Sequence, residues 1–186
     1  MTLTVNLPDK IQSIISVLNV LSAPALVGVC LFFINKTAWK WRIKSFYLFK
    51  WLVPVPNLNG RYTGKLISTF ENKGIEKKCV VEIFQTASEI NIRSFFADKD
   101  SNLQTSLSES FSETIVKQRN DSYCIDFIFS NEPNVLESNL NIHGGAMKLH
   151  YYEDTNTLKG EYFNKRGNQG TIEVKWESAK LLNRLI

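Results

Sequence analysis

Residues 158–176, LKGEYFNKRGNQGTIEVKW, set the pattern from which the fold of this chain is predicted. Apolar or small residues occupy every second position on each side of the Gly167-Asn168 pair. They are Leu158, Gly160 and Tyr162 before it and Ile172, Val174 and Trp176 after it. This alternation is typical of strands with one buried face, and the Gly-Asn pair supplies turn residues. The stretch therefore predicts an antiparallel hairpin.

The same period of two extends back to Asn59 and gives eight candidate strands. They cover about residues 60–70, 76–85, 89–97, 105–117, 122–130, 145–152, 157–163 and 169–177. Short polar turns separate them, and no helical period interrupts the series. We predict an all-β domain over residues 57–177, a minimal eight-stranded antiparallel up-and-down β-barrel of the lipocalin or fatty-acid-binding type, because closure leaves no free strand edge.

The alternation also predicts which side chains face the interior of the barrel. The large members of this set are Tyr62, Leu66, Phe70, Cys79, Val81, Ile83, Ile90, Ile92, Phe96, Tyr123, Ile125, Phe127, Phe129, Met147, Leu149, Tyr151, Leu158, Tyr162, Ile172, Val174 and Trp176. The small inward residues Gly64, Ser68, Ser94 and Gly160 indicate space near one mouth. Serines alternate from Ser106 to Ser112, and the sequence leaves open whether they face the lumen or solvent.

An uncharged, mainly apolar stretch precedes the barrel. Residues 11–35 read IQSIISVLNVLSAPALVGVCLFFIN, which is long enough for a helix to cross a bilayer. We predict an N-terminal transmembrane helix region over residues 1–55, with the span at about 11–35. Pro24 kinks this span or divides it into two short limbs, and the polar stripe of Ser16, Asn19 and Ser22 is a candidate self-association surface. The alternatives are a core helix of a soluble protein and, less favoured, a signal peptide.

The segment after the span combines aromatic and basic residues. Residues 37–53, TAWKWRIKSFYLFKWLV, are interpreted as an interfacial or span-extending helix, since Trp, Tyr, Lys and Arg favour the membrane interface. Pro54 and Pro56 end it. The tail, residues 178–186, is a possible short helix closing the barrel or meeting the membrane.

The distribution of charge separates the two regions. Residues 1–55 carry six Lys or Arg and one acid, whereas residues 56–186 carry sixteen against seventeen. The excess positive charge therefore suits anionic lipid head groups and not a DNA or RNA polymer, which needs a basic face on the folded domain. Five cations follow the span and one precedes it, so the barrel is expected to face the cytoplasm.

The residues that usually carry catalysis or bind metal are scarce. The three cysteines have no CxxC spacing, and the two histidines belong to no HExxH, Ser-His-Asp or Gly-rich phosphate motif. We therefore expect no enzyme, no metal and no cofactor.

Polar residues near strand ends are the candidate ligand-binding groups. Tyr162, Asn164 and Arg166 precede the Gly167 turn, where amide and guanidinium donors match phosphates and base edges. Asn131 ends a strand of alternating aromatics, and His143 precedes two glycines. The alternative is that these are ordinary turns with solvated side chains.

Four blocks of the sequence together resemble a known family. They are LNGRYTGKL (58–66), FIFSNEP (127–133), IHGGAMKL (142–149) and LKGEYFNKRGNQGTIEV (158–174), following a membrane segment. The chain resembles the membrane β-barrel effectors of bacterial CBASS anti-phage systems, also described as SMODS-associated two-transmembrane, β-strand-rich effectors. The resemblance covers roughly residues 57–176. That family has two membrane helices, so a hairpin of short helices centred on Pro24 is the variant topology.

The resemblance implies a receptor without enzymatic activity. Such effectors bind a cyclic di- or oligonucleotide made by a cGAS/DncV-like nucleotidyltransferase, form homo-oligomers in the phospholipid bilayer, disrupt the inner membrane and kill the infected cell. Tyr162, Asn164, Arg166, Asn131 and His143 stand in the matching blocks and are the expected ligand-binding residues. Two alternatives stay open: a membrane-tethered, lipocalin-like carrier of a hydrophobic ligand, and a structural interaction module with a filled core.

Overall fold

The computed structural model describes residues 8–13, 23–43, 46–69, 74–135 and 141–185. The chain divides into two compact units, Met1–Phe49 and Lys50–Ile186. The predicted self-association stripe of Ser16, Asn19 and Ser22 lies outside the described residues, as does Phe70 of the predicted interior.

The first unit contains short elements. Residues 9–13 are helical, and helix α1 spans Ala23–Lys36 with Pro24 in its first turn, where the missing amide proton breaks no helical hydrogen bond. In the part of the chain that the structure describes, no helix is both long enough and apolar enough to cross a membrane.

The prediction of a helix over residues 37–53 is wrong. The segment instead forms a 3₁₀ turn, Ala38–Lys40, followed by the paired two-residue strands β1 (Arg42–Ile43) and β2 (Phe46–Tyr47). The Arg42 guanidinium lies 4.0 Å from the centre of the Tyr47 ring and stabilises this pairing. Aromatic and β-branched residues favour such strands over a helix.

The second unit is the predicted closed barrel of eight antiparallel strands. These are β3 (Gly60–Ser68), β4 (Ile75–Gln85), β5 (Ile90–Asp98), β6 (Gln104–Lys117), β7 (Tyr123–Pro133), β8 (His143–Tyr152), β9 (Thr157–Asn164) and β10 (Gln169–Ser178). Each strand pairs with its neighbours in sequence, and β10 closes the sheet onto β3. The fold class, the eight strands and the up-and-down order are confirmed.

The interior of the barrel is the predicted apolar face of each strand. Tyr62, Val81, Ile125, Leu149 and Val174 are fully buried and belong to one core cluster. The outer wall is polar over most of its surface. Trp176 is an exception to the predicted interior because it lies at the end of β10, is 42% exposed and donates its indole N–H to the Asn59 carbonyl.

Two of the predicted interior gaps are filled by backbone. A Cβ on Gly160 would lie 1.8 Å from the Lys148 carbonyl oxygen, and one on Gly64 would lie 2.1 Å from that of Glu173. The neighbouring strands therefore approach too closely for any side chain at these positions. Ser68 alone of the four small residues lines the cavity described below.

A β-bulge in β6 decides the orientation of the alternating serines. Ser108 and Ser110 are buried inside the barrel, whereas Ser112 is exposed, because the register with β7 shifts between Ser110 and Ser112. The extra residue, Phe111, is 66% exposed. An inserted residue reverses the alternation, which explains why the period of two alone left this question open.

One end of the barrel is closed by the chain that leads into β3. Leu58 is fully buried there, its N–H bonds to Gln85 Oε1 at 2.8 Å, and its carbonyl accepts the Tyr62 hydroxyl at 3.0 Å. Gln85 also donates to the Pro56 carbonyl. These hydrogen bonds pair the backbone groups of residues 56–58 that burial separates from water.

The described residues of the predicted helical tail, 179–185, do not form a helix. The Glu82 carboxylate accepts the N–H groups of Leu182 and Asn183 at 2.8 and 2.9 Å, while Arg61 donates to the carbonyls of Arg184 and Leu185. Arg61 on β3 and Glu82 on β4 thus form hydrogen bonds with backbone groups of the tail that, in a helix, would pair with one another. The tail lies along the outside of the barrel.

Candidate functional site

The open end of the barrel contains a cavity of about 100 Å³. It lies at the end opposite to the Leu58 closure, where β3, β5, β7 and β9 end and β4, β6, β8 and β10 begin. Its apolar walls come from the inward faces of four different strands and are formed by Leu66, Phe96, Phe129 and Met147. Polar side chains lie among them toward the mouth.

All five predicted ligand-binding residues line this one cavity. Asn131 lies near the end of β7 and His143 begins β8, and the two are directly opposite each other in the ladder. Tyr162 and Asn164 are inward residues of β9, and Arg166 lies in the following turn. Strand register therefore brings together residues that are up to 35 positions apart in the sequence.

Two of these five side chains are held by serines of the same cavity. The Tyr162 hydroxyl donates to Ser68 Oγ at 2.5 Å, and Ser108 Oγ donates to Asn131 Oδ1 at 2.8 Å. All four residues are buried. Fixed polar side chains in an apolar wall lose little conformational freedom when a ligand binds.

Asn164 organises the β9–β10 turn. Its Oδ1 accepts the backbone N–H groups of Arg166 at 3.0 Å and Asn168 at 3.1 Å, while Gly167 adopts φ +77°. The carboxamide oxygen thus supports the loop that carries Arg166, and the Nδ2 group is the part of Asn164 suited to donate to a ligand.

Arg166 and His143 converge on one carbonyl oxygen. The Arg166 Nη2 group and the His143 Nδ1–H group, the latter at 3.1 Å, both donate to Asn141 O at the end of the β7–β8 connection. Because the carbonyl accepts from Nδ1, the other ring nitrogen of neutral His143 is the acceptor. This arrangement ties the β9–β10 turn to the β7–β8 connection.

Burial sets the protonation states of two residues here. It lowers the pKa of His143, the positive charge of Arg166 lowers it further, and the Asn141 contact opposes both effects. His143 is therefore neutral near pH 7 in the free protein. Burial raises the pKa of the Tyr162 phenol, with the Ser68 contact acting the other way, so this hydroxyl stays a donor.

The charge of the cavity is positive. Lys77 and Arg166 contribute cations, and none of the described residues that line it is Asp or Glu. Lys77 also bonds Asp98 at the rim, at 3.2 Å. The Arg166 guanidinium matches a phosphate, whereas the charge of Lys77 is shared with Asp98.

Sequence reasoning did not assign Lys77 or Asn168 to the site. It placed Phe96 and Ser68 on the inward face and left the orientation of Ser106 and Ser108 open. The alternation of Cys79, Val81 and Ile83 extends two residues back to Lys77, so the phase of β4 already places this lysine inside. Asn168 gave no such indication because it lies in a turn. In the described ranges, no group of three His, Cys, Asp or Glu could hold a metal ion.

A family model described as Cap15, cyclic dinucleotide receptor domain, matches residues 53–176. The chain belongs to this family. The match covers the whole barrel cavity with its five candidate residues, and it confirms the resemblance to CBASS effectors. The Cap15 domain is a ligand-sensing domain of these anti-phage systems. No curated protein matches the chain.

Proposed function

We propose that the chain is the effector of a CBASS anti-phage system, and that the cavity at the open end of its barrel binds a cyclic dinucleotide. The observation that carries the proposal is the composition of this cavity within a Cap15 receptor domain: Arg166 and Lys77 beside fixed polar and aromatic groups, with no carboxylate among its described lining residues.

The cavity chemistry matches the parts of such a ligand. Arg166 and Lys77 pair with phosphodiester oxygens, and neutral His143 adds a ring for stacking against a base. Tyr162, Asn131 and Asn164 supply hydroxyl and amide groups for base edges. A fatty acid, by contrast, needs a long apolar cavity, whereas cationic and polar side chains lie among the apolar walls here.

The N-terminal region provides the second part of the proposal. Residues 11–35 anchor the protein in the inner membrane, the barrel faces the cytoplasm, and ligand binding shifts the protein toward an oligomer that disrupts the bilayer. The supporting features are the uncharged stretch and the cations that follow it. The nucleotide promotes assembly only if it binds the oligomer more tightly than the monomer.

The test is a calorimetric titration of the full chain in mild detergent with cyclic di-AMP, cyclic di-GMP and cyclic GMP–AMP. We expect saturable binding of at least one, and Arg166→Ala is expected to weaken it about 10–100-fold through loss of a charge-assisted bond. Arg119→Ala, an exposed arginine in the β6–β7 turn at the closed end, is the matched control.

Three results contradict the proposal. The first is a folded chain that binds none of these nucleotides. The second is an equal loss of affinity in the two arginine variants, which would place the ligand elsewhere. The third is saturable binding of a fatty acid without nucleotide binding, which would favour the lipocalin-like carrier. Leakage of dye from anionic vesicles, measured with and without nucleotide, tests membrane disruption separately.

A further inference from the structure

The two cations of the cavity differ in the groups that they contact. Lys77 Nζ lies 3.2 Å from Asp98 Oδ1 at the open end of the barrel. The lysine side chain is 22% exposed and lines the cavity, whereas the Asp98 side chain is 64% exposed at the rim. Arg166 donates to the backbone carbonyl of Asn141. Lys77 therefore faces a full counter-charge, and Arg166 faces a neutral acceptor.

Strand register places the Lys77–Asp98 pair on the inner face of the barrel. The two residues are directly opposite each other in the β4–β5 ladder, two positions beyond the opposed pair of Cys79 and Phe96. Cys79 and Phe96 are buried in the interior, and residues two positions apart along a strand share a face. Lys77 and Asp98 thus continue this face to the mouth, where the ladder holds the carboxylate beside the ammonium group.

A second carboxylate near the mouth has a different partner. Glu76 Oε1 lies 3.5 Å from Lys99 Nζ. Glu76 is adjacent to Lys77 in β4, so its side chain lies on the outer face of the barrel. Glu76 and Asp98 therefore carry the same charge close to the same opening, but Asp98 contacts the cation that lines the cavity and Glu76 contacts a cation outside it.

The position of Asp98 has a consequence for the proposed function, on which this inference rests and in which Lys77 pairs with a phosphodiester. An approaching phosphate either replaces Asp98 on the ammonium group, which has three N–H donors, or binds beside it. In the first case the Lys77–Asp98 ion pair is lost, and in the second case two anions lie next to each other. Asp98 opposes binding of the phosphate in both cases.

We propose that Asp98 is a built-in competitor for the phosphate at Lys77 and thereby sets the affinity of the cavity for a cyclic dinucleotide. A ligand that reaches Lys77 must offset the ion pair that is already there. The carboxylate thus raises the nucleotide concentration at which the protein responds, without itself supplying a favourable contact to the ligand.

Calorimetric titration of the full chain in mild detergent tests the proposal with cyclic di-AMP, cyclic di-GMP and cyclic GMP–AMP at low ionic strength, where screening is weakest. Asp98→Asn removes the charge but keeps the size of the side chain and an oxygen that accepts from Lys77. For the nucleotide that binds, we expect this variant to bind about two- to five-fold more tightly, the range set by a partly exposed ion pair. Glu76→Gln is the matched control, and it is expected to keep the wild-type affinity.

Lys77→Gln supplies a readout that a merely structural role of Asp98 would not change. In this background Asp98→Asn is expected to leave the affinity unchanged, because the cation for which the carboxylate competes is absent. An unchanged or lower affinity of the single variant Asp98→Asn overturns the competition but leaves the receptor function. An equal gain in Glu76→Gln, or a gain that persists with Lys77→Gln, overturns Lys77 as the group for which Asp98 competes. Absence of binding by the wild-type chain overturns both proposals.

Discussion

At the scale of single residues, the mouth is held by contacts that a bound anion would compete for. Arg166 and His143 both donate to Asn141 O, so the cation proposed to bind phosphate also fixes the β7–β8 connection. The Asn164 carboxamide holds the Arg166 backbone from the other side. A ligand that binds the Arg166 guanidinium therefore competes with the contact between Arg166 and Asn141 O, which is one of the two that hold this connection.

The shifted pKa of His143 predicts how nucleotide affinity depends on pH. His143 is neutral in the free protein because burial and Arg166 lower its pKa, and an adjacent phosphodiester stabilises the protonated ring. Binding then takes up a proton, so affinity should rise as pH falls from about 8 to about 6, by at most about ten-fold per pH unit. Titration calorimetry across this range measures it.

The second histidine supplies the control. His143→Gln should remove the pH dependence, whereas His150→Gln on the outer face of β8 should keep it; identical profiles for the two variants would exclude His143 from the ligand contacts. Without ligand, lowering the pH has the opposite effect, because it destabilises the folded chain. The unfolded chain takes up the proton more readily, so the contribution of His143 to stability is present above its ordinary pKa of 6.5 and is lost as pH falls.

Two glycines on adjacent strands predict opposite effects of the same substitution. Gly160→Ala puts a Cβ 1.8 Å from the Lys148 carbonyl and forces β8 and β9 apart, so we expect a loss of about 3 kcal/mol in the free energy of unfolding. At Gly144 the nearest atom, Phe129 O, lies at 3.5 Å, and Gly144→Ala should be neutral or stabilise by up to about 1 kcal/mol. Urea denaturation compares them, and equal losses would contradict the close strand approach.

At the scale of elements, the tail is fixed to the barrel by a buried ion pair. Arg61 Nη1 lies 2.7 Å from Glu82 Oε1, and the two side chains are 5% and 2% exposed. Leu185 packs with Val80, Phe95 and Ala97 on the same outer surface. The tail thus covers apolar surface of β4 and β5 that would otherwise face water.

Removing Arg61 should therefore be far more damaging than removing a surface arginine. Arg61→Ala leaves Glu82 buried without its counter-charge and frees the carbonyls of Arg184 and Leu185, and we expect a loss of about 3–5 kcal/mol. Arg119→Ala removes an exposed arginine of the β6–β7 turn and should change the free energy of unfolding by about 0.5 kcal/mol or less. Urea denaturation, with limited proteolysis of the tail, measures both; a small effect of Arg61→Ala would show that the network adds little.

The contrast between strands and connecting segments explains what the sequence predicts at this scale. Each barrel strand buries one face, so the period of two places Tyr62, Val81 and Leu149 correctly inside. The conformation of the tail does not follow from hydrophobic periodicity, because its backbone groups are bonded by Arg61 and Glu82, which are distant in sequence. The helix predicted over residues 37–53 failed for a related reason, since its amphipathic composition also suits the short β1–β2 pair.

At the scale of the whole barrel, the two ends have different roles. The chain enters at the closed end, where Gln85 holds residues 56–58, and the cavity opens at the other end. Neighbouring strands alternate in direction, so every second connection contributes to the mouth. This topology was predictable, and with it the meeting of Asn131, His143 and Tyr162. The small size of the cavity was not, because it depends on how closely Phe96, Phe129 and Met147 pack.

The central claim is that a cyclic dinucleotide binds at the open mouth, and photo-crosslinking tests it most directly. The full chain is irradiated with an azido derivative of the cyclic dinucleotide that binds in calorimetry, and the labelled peptides are identified by mass spectrometry. We predict labels within residues 129–147 and 162–168, suppressed by unmodified nucleotide and by Arg166→Ala. Labels confined to residues 54–59, to the tail or to the outer wall would contradict the account.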